Sequence, residues 1–278
     1  MNTLRLSNFH LIEKEIVSKI FWRLPYEMRR SLFMVINPFK YHLLNSLRTK
    51  SPEKLNAATF KPFIDNKCIF IHIPKASGIS IGYSLFGRHT GNHTTITEYQ
   101  IAFDQDEFNS FFKFTFVRNP WDRLLSAFLF MKSGGRNKFD CQWAEKYLSP
   151  YRNFDDFVKE WVNRINIDMG IHFKPQYKFI TTPKGLNPEV DFIGYFENVS
   201  NDYEYIRNKL RIGNKLIYRN KTIGKVSDYR SYYSDKTIEI VSDVYREDIE
   251  LFGYDFENSS LKKRALEGLL PPNDKSAL

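Results

Sequence analysis

Apolar residues gather in three strand-length runs: "KCIFIHI" (Lys67 to Ile73), "FFKFTFV" (Phe111 to Val117) and "VDFIGYFE" (Val190 to Glu197). The first is apolar on both faces, as in a strand of a parallel sheet covered on both sides. Elsewhere the spacing becomes helical. In "RNPWDRLLSAF", Asn119 is a candidate N-cap, Pro120 suits the first helical position, and Leu124, Leu125, Phe128 and Leu129 share a face. Phe157, Val158, Trp161, Val162 and Ile165 predict a second amphipathic helix. Ser234 to Leu251 predicts a third, with Ile238, Val241, Val244 and Tyr245 on one face and Gly253 as its stop. Strands alternating with helices predict an α/β domain built on a parallel sheet.

The first fifty residues follow a different pattern. Leu11 or Ile12, Ile16 and Ile20 recur at helical spacing, followed by the cluster Phe21, Trp22, Phe33, Met34, Val35 and Ile36. This stretch holds nine Lys/Arg and three Asp/Glu, a balance of +6 out of the chain's +9. A basic amphipathic extension suits packing on the main domain, the usual role of such helices, or contact with an anionic membrane surface. Its longest apolar run, "LFMVI", falls far short of the roughly 20 residues that cross a bilayer. "EKE" at 13 to 15 interrupts the place of a signal peptide's apolar region. "TKSPEKLNAATFKPF" (Thr49 to Phe63) has linker character, and "LLPPNDKSAL" that of a loose tail. The expected organisation is therefore an extension over 1–62, a main domain over 63–256 and a tail over 257–278.

With 278 residues the chain can form one full α/β core plus an extension, and an apolar fraction of 42% excludes a mainly disordered chain. The positive balance favours an anionic partner. Cys68 and Cys141 belong to no CxxC pair, so they read as free thiols of a reducing compartment and no zinc site is expected.

Candidate chemistry sits at the ends of the first two strands. In "HIPKASGIS" a strand runs through a short loop into a helix, whose first N–H groups lack intrahelical partners and carry partial positive charge. Such an end binds phosphate, with Ser77 and Ser80 as hydroxyl donors, Gly78 allowing close backbone approach and Lys75 adding a mobile charge. Lysine precedes the glycine here, unlike the Walker A order. Alone, the loop is equally compatible with a structural lysine. In "FVRNPWDRLLSAF", Arg118 ends a strand and Ser126 lies two turns into the next helix, both able to reach an anion at the sheet's carboxyl edge. The alternative pairs Arg118 with Asp122 on the surface and makes Ser126 a packing residue.

Together these motifs resemble the sulfotransferase superfamily, specifically its carbohydrate branch (family 2, or heparan sulfate 2-O-like). "HIPKASGISI" is similar to that family's loop for a 5′-phosphosulfate, and "FTFVRNPWDRLLSAF" to its 3′-phosphate motif, with Arg and Ser eight positions apart. Weaker similarity extends over roughly 67–256. The resemblance implies a P-loop-like three-layer domain with a central parallel sheet flanked by helices. It implies transfer of a sulfuryl group from 3′-phosphoadenosine 5′-phosphosulfate (PAPS) to a carbohydrate hydroxyl, without an obligatory metal. Lys75 would neutralise charge on the leaving oxygen. Ser77, Gly78, Ile79 and Ser80 would hold the 5′-phosphate, and Arg118 and Ser126 the 3′-phosphate. Ile79 stands where threonine is common, leaving only its backbone N–H.

A hydroxyl nucleophile needs a base, for which histidine is suited. His72, inside a strand, reads as structural. The family's base lies between the two nucleotide motifs, and "NHTTITEY" resembles its HxT segment, so His93 is the candidate, with His89 the alternative. His172, Lys174 and Gln176 in "HFKPQY", together with Glu197, are candidates for binding the acceptor glycan, with ordinary loop or ion-pair roles as the alternative. Arg219, Asn220 and Lys221 occupy the place of a basic loop over the nucleotide, which matches the family poorly.

A P-loop kinase would need glycines ahead of Lys75 and a magnesium-binding acid after a strand, and "CIFIHIP" and "VRNP" supply neither. An inactive glycan-binding or membrane-associated protein of the same fold is the other competing class. No nucleic-acid partner is expected. The expected location is cytoplasmic, either soluble or peripheral at the inner face of a membrane.

Overall fold

The computed structural model describes residues 17–50, 53–219 and 228–261. Three parallel strands form the sheet in the order β1 (Cys68–Ile71), β2 (Phe112–Val117) and β3 (Phe192–Tyr195). Every residue of β1 is buried, which explains its unbroken apolar run. In register, Ile71 faces Thr115 and Val117 faces Tyr195, so all three strands end along one edge. The loops that follow them, carrying Lys75, Arg118 and Glu197, therefore share that edge. The Thr115 hydroxyl donates to the Ile71 carbonyl at 2.8 Å, tying β1 to β2 there.

Helices flank the sheet, as the strand–helix alternation predicts. Along the chain they include α1 (Tyr26–Ile36), α2 (Pro38–Thr49), α3 (Gly78–Phe86), α4 (Ile96–Ala102), α5 (Gln105–Ser110) and α6 (Pro120–Lys132). There follow α7 (Lys138–Leu148), α8 (Phe154–Glu160), α9 (Val199–Leu210), α10 (Asp235–Val244) and α11 (Arg246–Phe252). Asn119 caps α6 as expected, its side chain accepting the Trp121 N–H at 3.0 Å, an interaction worth about 1 kcal/mol. One core surrounds the sheet, and a second joins α6, α8 and α10 through Leu125, Phe157, Trp161 and Val241.

Two predicted helices differ in extent. The one through Phe157 ends at Glu160, and Ile165 is exposed, because the Asn163 side chain accepts the N–H groups of Ile165 and Asn166 and turns the chain. The predicted helix over 234–251 is broken at Tyr245, whose buried ring and hydroxyl bond to the Phe173 carbonyl (2.7 Å) fix it between α10 and α11. Gly253 stops α11 in the left-handed conformation, as expected.

The extension packs on the domain. Leu44 of α2 enters the sheet's core, Arg29 of α1 is buried against Gln100 (2.9 Å), and Arg48 pairs with Glu107 (2.7 Å). In the linker stretch Phe60 and Phe63 are fully buried, and the boundary at 62/63 falls within a short helix, Lys61–Asp65. The candidate positions Leu11, Ile12 and Ile16, and the tail from 262 onward, lie outside the described residues.

Candidate active site

The loop between β1 and α3 takes its shape without the usual glycines. Lys75 (φ 68°) and Ser77 (φ 62°) both adopt left-handed backbone, which costs a non-glycine residue roughly 1–2 kcal/mol each. Strain of this kind persists where the surroundings hold it, commonly at functional sites. Gly78 has a different reason from close approach to a phosphate: a Cβ there would lie 1.8 Å from the His72 ring. The N–H groups of Gly78, Ile79 and Ser80 open α3 and have no carbonyl within the helix to bond. This N-terminus, with the Ser77 hydroxyl and a lysine beside it, suits a phosphate group.

The Lys75 ammonium lies 4.0 Å above the ring of Phe130, on α6. Burial, reinforced by the neighbouring Arg118, lowers its pKa to about 8, and Asp140 opposes that shift. Lys75 thus remains mostly cationic at neutral pH while being poorly solvated.

Arg118 is buried rather than a surface charge. Its Nε and Nη2 donate to Asp122 Oδ2 at 2.9 and 2.7 Å, and its Nη1 donates to the Lys75 carbonyl at 3.0 Å. Its guanidinium also lies 4.0 Å from the Phe196 ring centre. The two candidate nucleotide loops are thereby joined directly. Ser126 is fully buried on α6.

Gln176 and Glu197, expected at the acceptor, are bonded into this frame, as is the backbone carbonyl of Lys174. Gln176 is fully buried: its Oε1 accepts the Arg118 N–H at 2.9 Å, and its Nε2 donates to the Arg118 carbonyl at 2.8 Å. Gln176 is anchored in turn by Asp248, which accepts its N–H and that of Tyr177, each at 2.8 Å. Glu197 accepts the Asn119 N–H at 2.8 Å and the Tyr254 hydroxyl at 3.0 Å, so it fixes the turn after β2. The Lys174 carbonyl accepts from Arg123, a fully buried guanidinium that also donates to the Pro74 carbonyl at 3.2 Å. Arg123 and Asp248 were not signalled as site residues by sequence; only the position of Arg123 inside the second motif hinted at a role.

His172 joins a cluster that the sequence scatters over a hundred positions. The ring centres of His93 and His72 are 4.6 Å apart, those of His93 and His172 5.6 Å, and those of His72 and His89 6.0 Å. Nδ1 of His93 lies 3.1 Å from the His72 carbonyl oxygen. A carbonyl only accepts, so Nδ1 carries the proton and Nε2 keeps its lone pair. Burial, then the nearby His172, push the His93 imidazole down to about 3, and burial likewise lowers His72 and His89. Asp140 lies 3.6 Å from His172 Nε2, and its hydrogen bond with His172 holds its carboxyl below the usual range.

Ser80 is engaged with the late basic segment: its hydroxyl donates to the Arg219 carbonyl at 3.2 Å and accepts the Arg219 N–H at 2.9 Å. The Arg219 guanidinium covers the Tyr83 ring at 4.4 Å. Asn220 and Lys221 lie outside the described residues. Among the described residues, no group of three or more His, Cys, Asp or Glu is arranged to hold a metal ion.

Over residues 65–255 the chain matches the model of the sulfotransferase family. It is 26% identical to carbohydrate sulfotransferase 10 of Xenopus laevis over 175 residues, 54% of this chain and 49% of that protein. It is 27% identical to carbohydrate sulfotransferase 14 of Danio rerio over 173 residues, 54% of this chain and 46% of that protein. An uncharacterized protein of Archaeoglobus fulgidus is 31% identical over 116 residues, 41% of this chain and 80% of that protein. The chain spans about half the length of the two carbohydrate sulfotransferases it matches. No solved structure matches it significantly. The chain belongs to the sulfotransferase family.

Proposed function

We propose that this member of the sulfotransferase family transfers the sulfuryl group of PAPS to a hydroxyl of a carbohydrate. The observation that carries the reading is the bond from Arg118 Nη1 to the Lys75 carbonyl (3.0 Å), which sets two cationic loops side by side at the carboxyl edge of the sheet. PAPS presents two phosphate-bearing ends, and the pair of loops offers a site for each. The opening of α3 with Ser77, Gly78 and Ile79 suits the 5′-phosphate; Arg118, with Ser126 on the same motif, suits the 3′-phosphate.

In the transfer, the acceptor oxygen forms a bond to sulfur as the bond from sulfur to the 5′-phosphate oxygen breaks. Negative charge grows on that departing oxygen, where a poorly hydrated lysine stabilises it more than water would. Lys75 takes that role. The hydroxyl proton goes to His93 Nε2, whose lone pair is kept available by the Nδ1 bond to the His72 carbonyl. His172 lies against the His93 ring and opposes its protonation, whereas the nearby Asp140 carboxylate favours the imidazolium once formed. The names of the two carbohydrate sulfotransferases support a glycan acceptor.

The test is transfer of labelled sulfate from PAPS onto a panel of glycans and glycolipids. The proposal expects at least one acceptor to be sulfated by wild type and not by Lys75→Ala or His93→Ala. Equal labelling by all three would remove the site assignment, and labelling of no acceptor, with no binding of 3′-phosphoadenosine 5′-phosphate (PAP), would remove the reaction.

A further inference from the structure

The N-terminal hairpin combines two features that packing on the domain does not explain. Successive helical residues are turned by 100°, so a helix lying on a protein covers at least one of any three in a row. At the end of α1, Met34, Val35 and Ile36 are all exposed, the last two by 72% and 62%. Asn37 and Pro38 are exposed as well, and Phe39, opening α2, is 81% exposed. The tip therefore projects, its exposed side chains apolar apart from Asn37, with exposed Leu32 and Leu43 one turn behind it. A helix end whose exposed side chains are nearly all apolar belongs in an apolar medium, and a projecting tip suits immersion better than docking on a flat surface.

Charge identifies the medium. Residues 17–50 carry seven Lys/Arg and a single acid, Glu27. Arg29, Arg30, Lys40 and Arg48 face the domain or Glu27 through Gln100, Ile101, Glu98 and Glu107. Lys19 and Arg23 are exposed, in the segment where Val17 and Ile20 are also exposed. A segment whose exposed cations Lys19, Arg23 and Lys50 outnumber its one acid complements a lipid surface bearing anionic headgroups. No helix among the described residues is long and apolar enough to cross a membrane.

We infer that the α1–α2 tip inserts Met34, Val35, Ile36 and Phe39 into one leaflet of an anionic membrane, holding the enzyme at its surface. The inference is independent of the donor and acceptor assigned above. It is tested by flotation of the full chain with vesicles of phosphatidylcholine and phosphatidylglycerol, and with vesicles of phosphatidylcholine alone. Wild type floats with the mixed vesicles and less with the neutral ones. The double variant V35D/F39D partitions about tenfold less or weaker still, with an unchanged thermal midpoint. I165D, at a residue 70% exposed elsewhere, floats like wild type. Three results would overturn the inference: wild type staying unbound with both vesicles, V35D/F39D floating as well as wild type, or a concentration-dependent dimer in sedimentation velocity that V35D/F39D dissolves while no vesicle is bound. The last would assign the tip to a second copy of the chain.

Discussion

At the carboxyl edge of the sheet, Arg118, Arg123, Gln176 and Asp248 are withdrawn from water and bonded to one another or to the backbone. At the α1–α2 tip, Val35, Ile36 and Phe39 stand in solvent. Both regions depart from the ordinary partition of polar outside and apolar inside, in opposite directions. Buried polar groups are costly unless partnered, and apart from Arg123 Nη1 these side chains are bonded, so the first region is a frame in which each part positions the next. Exposed apolar groups touch nothing that their removal would disturb, so the second region contributes to where the protein sits and little to whether it folds.

The largest effects should follow from breaking the frame at its reacting end. His93→Ala should lower kcat by about 10²–10⁴-fold, and Lys75→Ala by about 10²–10³-fold, in sulfate-transfer assays with little change in thermal midpoint. Next, Arg118→Ala should weaken PAP binding by about 10- to 150-fold, from charge-assisted bonds of roughly 1.5–3 kcal/mol, measured by calorimetry. Gln176→Ala leaves the buried Arg118 backbone groups unpaired and should destabilise by about 1–3 kcal/mol in denaturant titration. V35D/F39D should change stability by no more than about 0.5 kcal/mol in the same titration. If the hairpin variant lost more stability than Gln176→Ala, the contrast between frame and tip would fail.

The pH dependence sharpens the comparison within the frame. Lys75 is cationic below its lowered pKa, so kcat/KM should fall as pH rises through about 8. Lys75→Arg should remove that limb, because guanidinium stays charged there. His93 is held near 3, so it stays neutral through mild acid and no loss of rate is expected near pH 6.5, where an ordinary histidine would protonate. A wild-type acid limb at that pH, absent from His93→Ala, would contradict the environment described for this ring.

Much of the architecture was legible because it is local. The apolar runs of β1 and β2, the Asn119–Pro120 start of α6 and the Gly253 stop each write their geometry into a few neighbouring residues. The meeting of the Lys75 and Arg118 loops also followed, since parallel strands must end on one edge. What could not be read was tertiary. Gln176 and Asp248 are 72 positions apart, and His72 and His172 come from segments with no shared periodicity, so their convergence leaves no local trace. The same applies to Gly78, whose need is set by the His72 ring rather than by its own turn. In the hairpin, sequence offered packing or membrane contact as alternatives, and the structure divides the surface between domain contacts and an uncovered apolar tip.

Reading of a 3′-phosphate by Arg118 beside the Lys75 loop is tested most directly by calorimetry with PAP and with adenosine 5′-phosphate, which lacks that group, on wild type and Arg118→Ala. Wild type should prefer PAP, and Arg118→Ala should lose most of the preference, leaving the two nucleotides with similar affinities. A wild-type preference for PAP that survived unchanged in Arg118→Ala would contradict it.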